Sequence, residues 1–177
     1  MTQVDSKKEV YKLIAILLVL GLIGGGFLLY LSIPLLSDTS VILSTQPVDP
    51  FDPIRGQYMV IRYEINSIPV LENAKKGNNV YVLLEEDSNG VSRYKSAHFS
   101  KPEGIFIKGQ VTSISTNTMR MKYGVEQYFF QRGARFDTRI NNIELKLSSG
   151  GRSTIVAVLD ENLDPVKITY RNLTLTS

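Results

Sequence analysis

A run of 24 residues without a charge, 13–36, constrains this chain more than any other feature. About 20 apolar residues in a helix cross the hydrocarbon core of a bilayer, so the run predicts one transmembrane helix. A core helix of a soluble protein would carry polar residues every third or fourth position. Here none occurs before Tyr30 and Ser32. A cleaved signal peptide has an apolar stretch of about 7–15 residues followed by a small-x-small cleavage site. The exit Ile33-Pro34-Leu35-Leu36-Ser37-Asp38 offers no such site, so the helix is expected to stay as an anchor in the membrane bilayer. Pro34 falls near the end of the run, where it terminates or kinks the helix rather than breaking its middle. Gly21 and Gly25 form a G-x-x-x-G pair, extended by Gly24 and Gly26, a face through which two such helices can approach and dimerise.

Charge on the two sides of the run sets the expected orientation. Lys7, Lys8 and Lys12 precede it, whereas Asp38, Asp49 and Asp52 come before Arg55, the first basic residue beyond it. The positive-inside rule then places residues 1–12 in the cytoplasm and the rest of the chain outside, in the periplasm or the extracellular space. The expected division is a cytoplasmic N-terminus at 1–12, an anchor at 13–36, a Pro/Asp-rich lead-in at 37–55 and a β-rich extracytoplasmic domain at 56–177. The net charge is only +3, and basic and acidic residues are interleaved rather than gathered in a stripe. That argues against nucleic acid as a partner. The chain has no cysteine, which excludes a disulfide framework, a thiol nucleophile, a cysteine-based zinc site and a lipidated cysteine.

Within the lead-in, prolines at 47, 50 and 53 recur every three residues, and Asp49 and Asp52 each precede one. Proline fixes its own φ and pushes its predecessor toward extended geometry, so a stiff strut is expected. Gly56 then opens a period-two stretch in which Tyr58, Val60 and Arg62 alternate with Met59, Ile61 and Tyr63. This is a strand pattern.

Gly56-Gln57-Tyr58-Met59-Val60-Ile61-Arg62-Tyr63 resembles the motif that names the GDYXXLXY family of bacterial membrane-anchored proteins. The preceding Pro47-Val48-Asp49-Pro50 and Pro53-Ile54-Arg55 are similar to that family's approach to the motif. A second stretch, Tyr123-Gly124-Val125-Glu126-Gln127-Tyr128-Phe129-Phe130, is similar to another family segment. Gln57 stands where the motif has Asp, and Ile61 where it has Leu. The second change conserves volume; the first removes a carboxylate. The resemblance implies architecture and location rather than an activity, and it singles out Gly56, Gln57, Tyr58, Ile61, Tyr63, Tyr123, Gly124, Glu126 and Tyr128 as structural or partner-binding positions.

The remaining chain reads as short strands separated by turns. Val80 to Glu85 and Val91 to Phe99 form a hairpin across the turn Glu86-Asp87-Ser88-Asn89-Gly90. Gly104 onward to Ile114 is another strand, as is the alternating stretch from Thr118 to Val125. Ile143 to Leu147 and Thr154 to Leu159 flank Ser148-Ser149-Gly150-Gly151, and Val166 to Tyr170 is the last strand. Residues 65–76 can hold a short helical turn, and 132–142 a short helix or loop. Seven or eight such strands predict a mainly β fold, a small β-sandwich or open barrel behind a single helix.

Chemistry-bearing residues are sparse. His98 is the only histidine, and a zinc site would need partners that the chain does not supply. Asp160-Glu161-Asn162-Leu163-Asp164 begins like a calcium loop, but Pro165 stands at the glycine position and Arg171 at that of the bidentate glutamate. A polar turn is expected there, and neither a metal nor another cofactor is implied.

Three functional classes follow. The first is a non-enzymatic, membrane-anchored interaction or accessory protein, with other membrane or envelope proteins as partners. The second is a Ser–Lys hydrolase similar to signal peptidases, whose Arg-Gly-acid strand Arg55-Gly56 resembles. It would use Ser40 or Ser44 with Lys108 or Lys122, although the Ser-Met-x-Pro context of those enzymes is absent. The third is a small-ligand binder lined by Tyr58, Tyr63, Tyr81 and Tyr128.

Overall fold

The computed structural model describes residues 6–32, 38–46, 58–130 and 134–170. The charged start Ser6–Lys12 and the uncharged apolar run that follows form one helix, α1, Ser6–Ser32, 27 residues long. At about 1.5 Å per residue it spans about 40 Å. Its 8–32 portion is long and apolar enough to cross a membrane, and none of it is buried against the rest of the chain. Residues 33–36 of the apolar run lie outside the described residues.

Twelve strands follow among the described residues: β1 Ser40–Ser44, β2 Tyr58–Val60, β3 Ser67–Pro69, β4 Asn79–Glu86, β5 Ser92–His98, β6 Phe106–Ile114, β7 Thr118–Lys122, β8 Gln127–Phe129, β9 Ala134–Phe136, β10 Asn142–Leu147, β11 Ser153–Leu159 and β12 Ile168–Tyr170. Eight of them build one sheet in the order β11-β10-β1-β5-β4-β6-β7-β3, while β2 pairs with β8 and β9 with β12 as two small ribbons. All pairings are antiparallel except the contact of β1 with β5 through Leu43 and Ser92.

The mainly β expectation with one N-terminal apolar helix holds, and the large sheet is open at β11 and β3. It is also strongly curled. β10 and β6 are four strand positions apart, about 19 Å in a flat sheet. Yet the N–H of Lys108 on β6 donates to the carbonyl of Gly151, in the turn after β10, at 2.8 Å.

The concave face carries the core. Val41, Leu43, Val80, Val82, Ile107, Val111, Met119, Ile143 and Leu145 are all buried there, and the β2–β8 ribbon adds Met59, Ile61 and Tyr63. The period-two burial of β4, with Val80, Val82 and Leu84 inward, is the alternation expected of a strand with one covered face.

Several boundaries differ from expectation. The sheet takes in Ser40–Ser44, well ahead of residue 56, so part of the supposed lead-in is a central strand of the domain. Its register pairs Ser40 with Lys146 and Ser44 with Asn142, and Val41 and Leu43 are buried. A 3₁₀ turn at Glu64–Asn66 overlaps only the start of the 65–76 stretch where a helical turn is expected, and it leads at once into β3. In the 132–142 stretch, Ala134–Phe136 is a strand rather than a helix or a loop. The stretch from Thr118 stops being a strand at Lys122, because Gly124 turns the chain with φ +87°.

Candidate functional site

The two segments that resemble the family motif meet. Tyr58, Met59 and Val60 pair with Phe129, Tyr128 and Gln127 in the β2–β8 ribbon. The pairing continues beyond the ribbon, the Ile61 N–H donating to the Glu126 carbonyl at 2.8 Å. Alternation then sends Met59, Ile61 and Tyr63 inward and leaves Val60 and Arg62 exposed.

Two tyrosine hydroxyls lock the segments crosswise. Tyr63, 1% exposed, donates from its Oη to the Val125 carbonyl at 2.8 Å. Tyr123 donates to the Ile65 carbonyl at 2.6 Å. Each phenol therefore satisfies a backbone acceptor on the opposite segment, which removes the cost of an unpaired buried carbonyl. Burial pushes both phenols above the ordinary tyrosine range, and the nearby Glu126 carboxylate adds to the shift.

Glu126 closes the turn between β7 and β8. Its carboxylate accepts the Tyr123 N–H, and its Oε2 accepts the Gly124 N–H at 2.9 Å. Gly124 supplies the left-handed conformation that lets consecutive amides converge on one carboxylate. Asn66 completes the arrangement from the other side. Its Oδ1 accepts the Tyr63 N–H at 2.6 Å, and its Nδ2 donates to the Met121 carbonyl at 2.9 Å. Gly109 on β6 makes room for the Tyr123 ring: a Cβ there would lie 2.7 Å from Cε1.

Of the predicted positions, Tyr58, Ile61, Tyr63, Tyr123, Gly124, Glu126 and Tyr128 are brought together in this way. Gly56 and Gln57 lie outside the described residues, as does Arg55. Asn66 and Gly109 were not singled out by the sequence reading. Asn66 had a local signal, since an Asn three residues after a strand end is a common backbone-bonding turn residue; Gly109 had none.

The tyrosines weighed as a ligand lining do not converge. Tyr63 is core, Tyr58 packs on Phe129 at 5.9 Å between ring centroids, and Tyr81 contacts Phe106 at 5.6 Å on the convex face of the sheet. Among the described residues, neither serine weighed as a nucleophile is hydrogen-bonded to Lys108 or Lys122. Ser40 Oγ donates to Glu144 Oε1 at 2.6 Å, and Ser44 lies beside Asn142. Strands β5 and β4 stand between β1 and Lys108 on β6, and Lys122 is on β7 beyond it.

His98 Nε2 meets Ser96 Oγ at 2.8 Å, and no group of three or more metal-ligating side chains occurs among the described residues. The Asp160 carboxylate is taken up by its own turn, accepting the N–H groups of Asn162 and Asp164 at 2.9 and 3.0 Å. A shallow polar concavity of about 440 Å³ lies nearby, lined by Ser44, Asn89, Arg93, Asn142 and Asn162 among others. Its one cation, Arg93, is already paired with Glu64 and with Asp87.

A protein-family model described as GDYXXLXY protein matches residues 21–158, which include both interlocked segments. No curated protein and no solved structure matched the chain. With that match covering most of its length, the chain belongs to the GDYXXLXY family.

Proposed function

We propose that this protein is a membrane-tethered, non-enzymatic interaction module. Its β domain lies outside the cytoplasm, and it binds membrane or envelope partners by strand addition at β11. In this reading the family motif is an architectural clasp: the Tyr63 and Tyr123 hydroxyls are bonded to the backbone of the opposite segment, and the Glu126 carboxylate to the amides of its own turn. The tether is α1, with the lysine-bearing N-terminus in the cytoplasm, and the Gly21 and Gly25 face would serve contact between two such helices.

The observation that carries the reading is the edge of the large sheet. Proteins blunt exposed edges with short strands, prolines or charges. At the β3 end this is done: the strand has three residues and ends in Pro69. At the other end, β11 is seven residues long, uncharged and rich in β-branched residues, with Val156 46% exposed. Among the described residues only the end of β11 is engaged on the outer side, where the Val158 carbonyl accepts the Val166 N–H and Leu159 stands opposite Pro165. An edge of this kind is a template for an added strand. Tethering raises the effective concentration of the domain toward other proteins of the same membrane.

The absence of native cysteine makes the test direct. In intact cells, a membrane-impermeant maleimide should label Ser88→Cys, in the β4–β5 turn, and should label Lys8→Cys only after permeabilisation. A photocrosslinking residue at Val156 should give discrete adducts with membrane or envelope proteins that the same residue at Ser88 does not give. Labelling of the opposite pattern overturns the orientation, and no adduct at any β11 position overturns the interaction.

A further inference from the structure

The β domain presents a second built surface, at the end of α1. In the turn between β10 and β11, Arg152 reaches the helix: its Nη2 donates to the Tyr30 carbonyl at 2.8 Å, and its guanidinium lies 3.9 Å from the Tyr30 ring centroid. The Tyr30 carbonyl belongs to the last turn of the described helix, where backbone acceptors lack intrahelical partners and cations are favoured.

The same turn is fixed to β6. Gly151, at φ +79°, lies so close to the Phe106 ring that a Cβ would come within 2.8 Å of it, and its carbonyl accepts the Lys108 N–H. Around that point two further cations lie on aromatic rings. Lys108 Nζ is 5.7 Å from the Tyr81 centroid and Lys101 Nζ is 5.6 Å from that of Phe106. Phe99 and Ile105, in the loop that carries Lys101, are 47% and 45% exposed. The loop's one carboxylate is Glu103.

Cations whose stems lie on aromatic faces, rimmed by exposed apolar side chains, suit the boundary between headgroups and hydrocarbon. The contact with Tyr30 says which boundary is meant. We infer that Lys101, Lys108, Arg152, Phe99 and Ile105 form a membrane-facing surface that docks the β domain on anionic phospholipid headgroups of the leaflet where α1 ends. This rests on the reading of α1 as a membrane anchor. Docking in this way holds the domain against the bilayer instead of leaving it to swing on its tether, and so limits the directions in which the β11 edge can face.

Spin labels on single cysteines in the full chain, reconstituted into nanodiscs, test it by collision with oxygen and with a water-soluble nickel chelate. Ile105→Cys reads the surface, Leu20→Cys the anchor, and Asn117→Cys the far end of β6. In discs of phosphatidylcholine with a quarter phosphatidylglycerol, the label at 105 should collide with nickel at least twofold less than the label at 117. That difference should shrink in pure phosphatidylcholine and in the Lys101→Glu/Lys108→Glu variant. Equal aqueous exposure at 105 and 117 in both lipids, with 20 in hydrocarbon, overturns the docking surface and leaves the anchor standing. An aqueous label at 20 overturns both.

Discussion

Tyr63 and Tyr123 each combine a buried ring with one hydroxyl-to-carbonyl hydrogen bond across the clasp. Replacing either by Phe leaves a carbonyl unpaired, which costs about 1–2 kcal/mol. A denaturant titration in detergent reads that loss. Both phenols have folded-state pKa values above the ordinary value of about 10, so their contribution is complete below that pH and declines as pH rises through it. The wild-type chain should therefore lose up to about 1.4 kcal/mol per pH unit for each of these tyrosines in the alkaline range. The Tyr63→Phe/Tyr123→Phe variant, less stable at neutral pH, should show a flatter alkaline limb. Parallel limbs would mean that the phenols ionise equally easily folded and unfolded. The tyrosines stood out in the sequence, but their partners could not. Val125 and Ile65 act through carbonyls about 60 positions away, and a carbonyl leaves no trace in residue type.

Between elements, the fit of β6 against the clasp depends on the absence of one carbon. Alanine at Gly109 would place a methyl 2.7 and 2.8 Å from two Tyr123 ring atoms and 3.1 Å from the Met121 methyl. The ring cannot swing away without surrendering its bond to Ile65. Gly109→Ala is expected to destabilise by about 1–3 kcal/mol, as other overpacked cores do. A loss below about 0.5 kcal/mol would show that the ring yields freely. β10 was legible from its period-two alternation, β4 from its run of β-forming residues, and β5 and β11 as the return strands across the turns that precede them. β1 was not: Ser-Val-Ile-Leu-Ser is only five residues between the anchor and the prolines, and its place between β10 and β5 is decided by pairings about 50 and 100 residues downstream. β3 and β9 are three residues each, too short for any alternation to register.

At the scale of the molecule, helix and domain are nearly independent. Among the described residues the buried core runs from Val41 to Val166 and includes nothing from α1, which Arg152 contacts at Tyr30. A chain beginning at residue 38 should thus unfold cooperatively, within about 1 kcal/mol of the full protein, since an exposed cation–π contact contributes about that much. Thermal circular dichroism on both forms measures it. A non-cooperative fragment would show that the helix supports the core. The curled sheet has a further consequence in time. Its first strand, next in sequence to α1, waits for β10 about 100 residues later, and the motif strand waits for residues 125–129. Closing such long loops is slow, because their entropy is lost before any contact rewards it. In the proposed topology, a domain that follows its N-terminal helix across the membrane cannot complete its fold until nearly all of it has emerged, so premature folding would not obstruct export.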